Sequence, residues 1–496
     1  MAFPWSQKPG IWDAKYERAR EDPATISPPA EADLIRKLRV GDLDDKSRKF
    51  EGSARIQDVR TVNSYSWVDK LSSGPTILIP GQPPLWTPQH NPDRLKEDSG
   101  SYFRDKNAAR YPKHPTEPAV VASLAADPTL PSKLDIFACG STLGNLLRFV
   151  RGQDKTFRML AYKIHNTVFL VRRENSPTEL IPGVRGYGHT FPEANTTWEP
   201  AVKGSASHQR LIRYTFGGLE VLVRFEADGY IKPKSNPPNS PSPTTTTTSN
   251  QTPTLEELTT DLSTTTVTPS PLPTPSTTGT TLTITPAGTP IPHATLFDLK
   301  TRSIYTRDKK DHLAEELPRL WVSQIPIFIL AYHTQGLFKK GDTEIRDVRG
   351  EVRVWEGKHR RDLARLAALL RWVRDVVAEV AEEEVEGGVE LCRRAGGGEG
   401  VLEVRRVAGD VEGVVSDAVR ERWVQAGLGG GGKGDGEKGE EEASGDEEGG
   451  DEEGADEEWG DDEWGDEGEA LGWDEKEEDD FTACGKDCGY CGRCTY

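Results

Sequence analysis

The stretch "LFDLKTRS", residues Leu296–Ser303, alternates apolar and functional side chains, a pattern that predicts a β-strand. It follows residues 233–292, which are dominated by Thr, Ser and Pro and contain no aromatic residue. Such a segment buries too little apolar area to offset its ordering entropy, so we expect a disordered insertion there. The cost of closing a loop grows only slowly with its length, so a fold can carry a long insertion at the tip of a hairpin. We therefore expect the two strands that flank the insertion to pair antiparallel.

The upstream flank, "VLVRFEADGY", places Glu226 and Asp228 two residues apart, and the downstream flank spaces Asp298 and Lys300 in the same way. Residues two apart share one face of a strand, so three carboxylates and one lysine converge if the two faces coincide. Clustered carboxylates repel one another, and Mg²⁺ or Mn²⁺ is the natural counterion for oxygen ligands. The alternative is that all four are solvated charges on the outer face of a hairpin.

The rest of the chain divides by composition. Residues 1–50 are charged and Pro-rich and predict a loosely held arm, whereas residues 51–430 predict one mixed α+β body. In that body, "DIFACGSTLGNLLRF" predicts a strand, a glycine turn and the start of a helix. A later apolar stripe predicts a core-facing helix surface, with a coiled-coil surface as the alternative. The stripe consists of Val352, Trp355, Leu363, Leu366, Leu370, Val373, Val377 and Val380.

The order of these motifs resembles the DXO family of decapping exoribonucleases. The stretch "GYGHTFPEANTTW" is similar to its Gly-x-x-x-Glu motif, "RFEADGY" to its Glu-x-Asp motif, "FDLKTRS" to its Glu-x-Lys motif and "LWVSQIPIFILAY" to its last motif. The resemblance implies a mixed central β-sheet with a second smaller sheet and flanking helices. It also implies a metal-dependent hydrolase of RNA 5′ ends carrying a phosphate, a triphosphate or a cap.

The same resemblance implies roles for single residues. Glu193, Glu226, Asp228 and Asp298 would hold Mg²⁺ or Mn²⁺, Lys300 would align the attacking water, and Gln324 would assist. The family's Arg-Gly motif is replaced by Cys139-Gly140, and a shorter acid, Asp298, stands where the family has Glu. Candidate RNA-binding residues are Arg148, Arg151, Arg210 and Arg213. The departures leave open a second hypothesis, a catalytically degenerate protein that binds RNA ends or acts as an adaptor.

Two segments near the carboxyl end carry separate signals. The net charge of −19 is concentrated in residues 431–480, an acidic, Gly-rich stretch with Trp459, Trp464 and Trp473. We expect a disordered tail, with docking to a protein partner as the alternative. In residues 481–496, Cys484, Cys488, Cys491 and Cys494 are spaced for a tetrahedral Zn²⁺ site. An iron-sulfur cluster and free thiols remain alternatives.

Two classes of protein are disfavoured. No amino-terminal signal sequence or long apolar run is present, so we expect an intracellular protein of the nucleus or cytoplasm, without a membrane or secretory role. The segments "STLGNLLRF" and "GYGHTFPEA" also resemble fungal sequences labelled geranylgeranyl pyrophosphate synthetase. Such an enzyme needs Asp-Asp-x-x-Asp motifs on helices, and the nearest stretch, Asp461–Asp466, has the wrong spacing in a Gly-rich segment.

Overall fold

A computed structural model describes residues 29–69, 74–181, 183–232, 281–383, 388–394, 400–408 and 413–429. The acidic segment 431–480 and the cysteine motif 481–496 lie outside the described residues, as does part of the insertion, residues 233–280.

The described strands are β1 Leu34–Arg39, β2 Ile56–Val68, β3 Thr76–Pro80, β4 Leu85–Trp86, β5 Tyr102–Phe103, β6 Ile136–Cys139, β7 Phe157–Ile164, β8 Thr167–Arg172, β9 Leu180–Ile181, β10 Thr196–Thr197, β11 Ser205–Phe216, β12 Leu219–Glu226, β13 Gly229–Tyr230, β14 Thr283–Ala287, β15 Leu296–Ser303, β16 Ile327–His333, β17 Thr343–Asp347, β18 Gly388–Arg393 and β19 Val401–Arg406. The α-helices are α1 Asp44–Ser47, α2 Lys106–Arg110, α3 Glu117–Ala126, α4 Gly140–Val150, α5 Thr190–Asn195, α6 His312–Ser323, α7 Arg349–Lys358, α8 Arg360–Glu383 and α9 Asp417–Gly429. Short 3₁₀ turns lie at Val40–Leu43, Arg48–Phe50, Leu130–Ser132, Pro200–Val202, His293–Thr295 and Ile304–Thr306.

The strands form one large sheet and two smaller ones. The large sheet has eleven strands in the order β1-β19-β18-β7-β8-β6-β12-β11-β2-β3-β14, and it mixes parallel and antiparallel pairs. The second sheet has six strands in the order β10-β4-β13-β15-β16-β17, and β5 pairs with β9 in a third. This architecture confirms the predicted α+β class with a mixed central sheet, a smaller sheet and flanking helices. It excludes the nearly all-helical fold of a prenyl diphosphate synthase.

The strand-turn-helix prediction is confirmed at β6 and α4. The four residues of β6 are all buried, and Cys139 takes the N-cap position of α4. Thr142 fixes this turn, because its Oγ1 accepts from the Cys139 N–H at 3.1 Å and donates to the Cys139 carbonyl at 2.9 Å. The Cys139 side chain, at the start of α4, is therefore held at one end of the large sheet.

The pairing beside the insertion differs from the predicted hairpin. Within the described part of the upstream flank, the two residues of β13 pair antiparallel with β15, with Gly229 opposite Phe297. The preceding strand, β12, lies in the large sheet between β6 and β11. The chain leaves one sheet for the other around Ala227, whose N–H donates to the His208 carbonyl at 3.0 Å. Glu226 therefore ends a strand of one sheet, and Asp298 belongs to a strand of the other.

Two predicted segment boundaries need correction. Residues 281–292 were assigned to the insertion, yet they include β14, which pairs parallel with β3. The expected loose arm, residues 1–50, includes β1, which pairs antiparallel with β19. Both strands lie at an edge of the large sheet, where backbone pairing orders a segment whose side-chain pattern is mostly polar.

The apolar stripe is core-facing, as predicted. It lies on two helices, α7 and α8, with His359 between them, and all of its residues are buried in the main hydrophobic core with side chains from the large sheet. A second core cluster contains the buried Trp423 of α9, whose ring lies 5.3 Å from that of Phe169. Within the described ranges, no helix has the length and apolar character needed to cross a bilayer.

Candidate active site

A cavity of about 210 Å³ opens where β12 of the large sheet meets β15 of the second sheet. Its other walls come from α6, from the start of α4, from the segments around residues 98–107 and 184–192, and from Arg172 of β8 and Gln209 of β11. Sites that enclose drug-sized ligands are larger, roughly 300–1,000 Å³. The cavity therefore suits an end group better than a length of chain.

The structure brings together the acids and the lysine on which the sequence argument depends. Glu226, Asp228, Asp298 and Lys300 all line this cavity. Alternation along β12 also places Arg224 on the same face as Glu226. The Leu299 N–H donates to the Asp228 carboxylate at 2.7 Å, which fixes that side chain against β15.

Asp228 and Asp298 are adjacent because of strand register. Asp228 lies one residue before the Gly229–Phe297 pair, and Asp298 lies one residue beyond it. Burial raises the pKa of Asp228 to about 7, and the charge of Asp298 adds to the rise, while Lys300, Arg319 and the Leu299 N–H oppose it. Near neutral pH, the protonated and the ionised forms of Asp228 are therefore both populated.

The raised pKa of Asp228 predicts a pH-dependent stability. In the folded chain Asp228 keeps a proton that it releases near pH 3.8 in the unfolded chain. The stability of the fold is therefore unaffected by this carboxyl group below about pH 4 and decreases as the pH rises from there to about 7. We expect Asp228→Asn to raise the free energy of unfolding by about 1–2 kcal/mol at about pH 8 and to leave it unchanged near pH 4. Urea denaturation at both pH values measures this, and an equal difference at both would contradict it.

Asp298 has a counterion within the protein. The residue is 1 % exposed, and both of its carboxylate oxygens accept from Arg319 of α6, one from each terminal nitrogen. The third nitrogen of Arg319 donates to Glu316 at 2.8 Å, and Arg302 lies 3.5 Å from the other Glu316 oxygen. The acid that the sequence assigned to a metal is therefore held by a guanidinium fork.

Further cations line the cavity. Burial lowers the pKa of Lys106, although Glu226 and Asp228 beside it oppose the change. Burial works against charge on Arg224, yet Tyr65, Cys139 and Asp105 together raise its pKa. Seven Lys or Arg side chains line the cavity against five Asp or Glu. These are Arg104, Lys106, Arg172, Arg185, Arg224, Lys300 and Arg319, and Asp98, Asp105, Glu226, Asp228 and Asp298.

Two of these cations lack an ion pair with a carboxylate. Arg104 pairs with Glu179 at 2.9 Å, and Arg172 pairs with Glu174. Among the residues that the structure describes, neither Arg224 nor Lys300 has a carboxylate oxygen within 4.0 Å, and Arg224 donates to the neutral Gln209 side chain at 3.0 Å. Both can turn to an incoming anion without breaking an ion pair.

Several residues singled out from the sequence lie outside the cavity wall. Glu193 is exposed on α5, and only its neighbour Pro192 lines the cavity. Gln324 ends α6 in a left-handed conformation, φ 53°, and its amide donates back to the Trp321 carbonyl at 2.5 Å. The side chain of Gln324 therefore bonds to its own helix.

The four candidate RNA-binding arginines also lie elsewhere. Arg148 is buried beside Asn145 in α4, and Arg210 is buried and donates to the Ile291 carbonyl. Arg151 lies over the Trp355 ring, and Arg213 pairs with Glu220 at 3.4 Å. The cavity draws its positive charge from other residues.

Two of the cavity-lining residues were within reach of sequence reasoning. Arg224 precedes Glu226 by two positions, so strand alternation alone puts it on the same face. Cys139 lines the cavity at the start of α4, where the family motif implied an arginine. Arg104 and Lys106 lie in a stretch without periodicity, and no pattern in the sequence links Arg319 to Asp298.

The predicted metal site does not fit the donors present. Across the described part of the chain, no three His, Cys, Asp or Glu side chains form a group that could hold a metal ion. Both oxygens of Asp298 accept from Arg319, and the two neighbouring acids face Lys106 and Lys300. The repulsion that suggested a divalent cation is relieved by the protein's own cations. The cysteine motif lies outside the described residues.

Solved structures with similar architecture include S. pombe Rai1 in complex with 3′-FADP, Candida albicans Rai1 in complex with pU5-Mn²⁺ and K. lactis Dxo1 in complex with manganese. Their sequence identities are 11%, 9% and 8%, and their TM-scores are 0.43, 0.44 and 0.42. The alignments cover 76%, 75% and 78% of this chain and 100%, 96% and 97% of theirs. Because these TM-scores and identities are low, the function of this chain is argued below from its own residues.

Comparison by sequence gives one match. None of the curated proteins is significantly similar to this chain. Residues 50–387 match the family described as domain of unknown function DUF8563, and this range spans more than half of the chain and includes every cavity-lining residue. The chain therefore belongs to the DUF8563 family.

Proposed function

We propose that the cavity binds the 5′-terminal phosphate of RNA and that it does so through the chain's own cations. The observation that carries this proposal is the charge of the cavity wall, where Lys and Arg outnumber Asp and Glu. The raised pKa of Asp228 adds to the positive excess near neutral pH.

The surroundings of Arg224 and Lys300 support a phosphate ligand. Both side chains line the cavity, and neither pairs with a carboxylate among the described residues. A guanidinium fork binds two phosphate oxygens at once, and an ammonium group adds a charge-assisted hydrogen bond. A dianionic terminal phosphate satisfies both groups better than a backbone phosphodiester with a single charge.

The choice of RNA rests on the order of motifs. Glu226, Asp228, Asp298 and Lys300 resemble the third and fourth motifs of the DXO family, which acts on RNA ends with a phosphate, a triphosphate or a cap. The limited volume of the cavity, about 210 Å³, favours an end group over an internal segment. A 5′-phosphorylated end is therefore the first ligand to test.

The experiment compares two RNA oligonucleotides of one sequence, each with a 3′ fluorophore, one with a 5′ phosphate and one with a 5′ hydroxyl. We expect the full chain to bind the phosphorylated RNA at least about 100-fold more tightly, because Arg224 and Lys300 each add a charge-assisted hydrogen bond to the phosphate. Fluorescence anisotropy at constant salt measures both affinities. Equal affinities, or no binding at low salt, would refute recognition of the 5′ end.

A second candidate function is metal-dependent hydrolysis of the RNA 5′ end, as a decapping enzyme, a pyrophosphohydrolase or a 5′–3′ exoribonuclease. One observation favours it: Glu226, Asp228, Asp298 and Lys300 line the same cavity. The Asp298–Arg319 pair argues against it, because both carboxylate oxygens already accept hydrogen bonds.

Product analysis separates the two candidates. Wild type and Asp228→Ala are incubated with Mn²⁺ and RNA carrying a 5′ phosphate, a triphosphate or a cap, and the released nucleotides are resolved by chromatography. We expect no release by either protein. Release by wild type that Asp228→Ala abolishes would establish the hydrolase in place of the binding protein.

Two proposals rest on sequence alone. The tryptophans of residues 431–480 would dock a basic, grooved protein partner, and Cys484, Cys488, Cys491 and Cys494 would hold Zn²⁺.

A further inference from the structure

Arg319 occupies the place where a divalent cation would neutralise the acids. It extends from α6 across to β15 and holds both oxygens of Asp298. Its pKa stays well above the usual value because Asp298 and Glu316 outweigh the effect of burial. The guanidinium is therefore a permanent cation at the centre of the acid cluster.

The surrounding contacts keep Arg319 in this position. Glu316 lies one helical turn before it and accepts from its Nε at 2.8 Å, while Arg302 of β15 lies on the other side of Glu316. Glu316 and Asp298 are both almost fully buried. If the guanidinium swung to solvent, Asp298 would stay buried without its ion pair and Glu316 would keep only Arg302, and this cost opposes such a swing.

A divalent ion and Arg319 compete for the same lone pairs. An ion that ligated Asp298 and Asp228 would lie beside the guanidinium and would be repelled by its positive charge. Without a divalent ion there is no such repulsion, because Arg319, Lys300 and Lys106 already balance the charge of the acids.

We propose that Arg319 is an internal replacement for a metal ion, and that its side chain alone keeps a latent divalent-cation site at Asp228 and Asp298 closed. Removing the positive charge opens that site. The latent cation site lies in the same cavity as the proposed phosphate site, but its test contains no RNA, so either proposal can fail while the other holds.

The experiment measures Mn²⁺ binding to the full chain by the loss of the free-ion electron paramagnetic resonance signal. Four proteins are compared: wild type, Arg319→Gln, Arg319→Gln combined with Asp298→Asn, and Arg307→Gln. Arg307 pairs with Glu344 away from the cavity wall and controls for the loss of one arginine. The acidic segment and the cysteines contribute the same background to all four.

We expect Arg319→Gln to bind one Mn²⁺ more than wild type, at least about tenfold more tightly than any cavity site in wild type. The double variant and Arg307→Gln should match wild type. The proposal is overturned if folded Arg319→Gln gains no ion relative to wild type, or if the double variant gains the same ion. Should Arg319→Gln fold poorly, Mn²⁺ must raise its unfolding midpoint and leave that of the double variant unchanged; no rise would equally overturn it.

Discussion

Replacing Arg224 and Lys300 together by glutamine is expected to weaken binding of 5′-phosphorylated RNA by at least about 100-fold, because two charge-assisted hydrogen bonds are lost. Both side chains line the cavity, and in the part of the chain that the structure describes neither forms an ion pair that would break. Glutamine keeps a neutral donor but is shorter than arginine or lysine, so the change removes the charge together with the contact. Anisotropy titrations with phosphorylated and hydroxyl-ended RNA measure the effect, and the variant should lose its preference between them.

A matched control tests whether position or charge decides the result. Arg151→Gln combined with Arg213→Gln removes the same charge from residues outside the cavity wall. We expect less than about a threefold loss of affinity at moderate salt, since only long-range attraction changes. If this control weakened end binding as much as the cavity variant, the binding surface would lie elsewhere on the chain.

Replacing Asp298 by alanine is expected to lower the free energy of unfolding by about 3 kcal/mol. The change leaves Arg319 with Glu316 as its remaining carboxylate partner, and the two terminal nitrogens that held Asp298 lose their acceptors, which accounts for most of the cost. Arg319 keeps 22% of its side-chain surface exposed, which places the expectation at the lower end of values for buried pairs. Chemical denaturation followed by circular dichroism measures the change.

The matched control for Asp298→Ala is Glu344→Ala. Glu344 also pairs with an arginine, Arg307 at 2.5 Å, but the pair is partly exposed to solvent. We expect a loss of no more than about 1 kcal/mol, because solvent screens the charges left behind. If the two substitutions cost the same, Asp298 and Arg319 would not form the structural pair described above.

The sequence predicted the strands at the cavity better than it predicted the way they join. Leu296–Ser303 is a strand, and its Asp298 and Lys300 line the same cavity as Glu226 and Asp228. The sequence did not show that Glu226 ends a strand of the large sheet, because pairing between strands depends on register and crossovers that a local pattern does not encode. The acids converge across two sheets instead of within one hairpin.

The cation that balances the acids was beyond prediction for a related reason. Arg319 follows Asp298 by 21 residues and lies on a helix whose amphipathic pattern fixes which face is buried. That pattern leaves open which strand the helix covers, so the ion pair depends on tertiary packing. The candidate arginines of α4 and β11 show the same limit, since Arg148 and Arg210 lie on buried faces away from the cavity.

The most direct test of the account is whether the preference for a 5′ phosphate requires a metal ion. The affinities of wild type for phosphorylated and hydroxyl-ended RNA are measured once in EDTA and once in Mn²⁺, at equal ionic strength. Because the chain's own cations contact the phosphate, we predict the same ratio of affinities in both. A preference that appears only in Mn²⁺ would contradict the account and would return the cavity to a metal-dependent function.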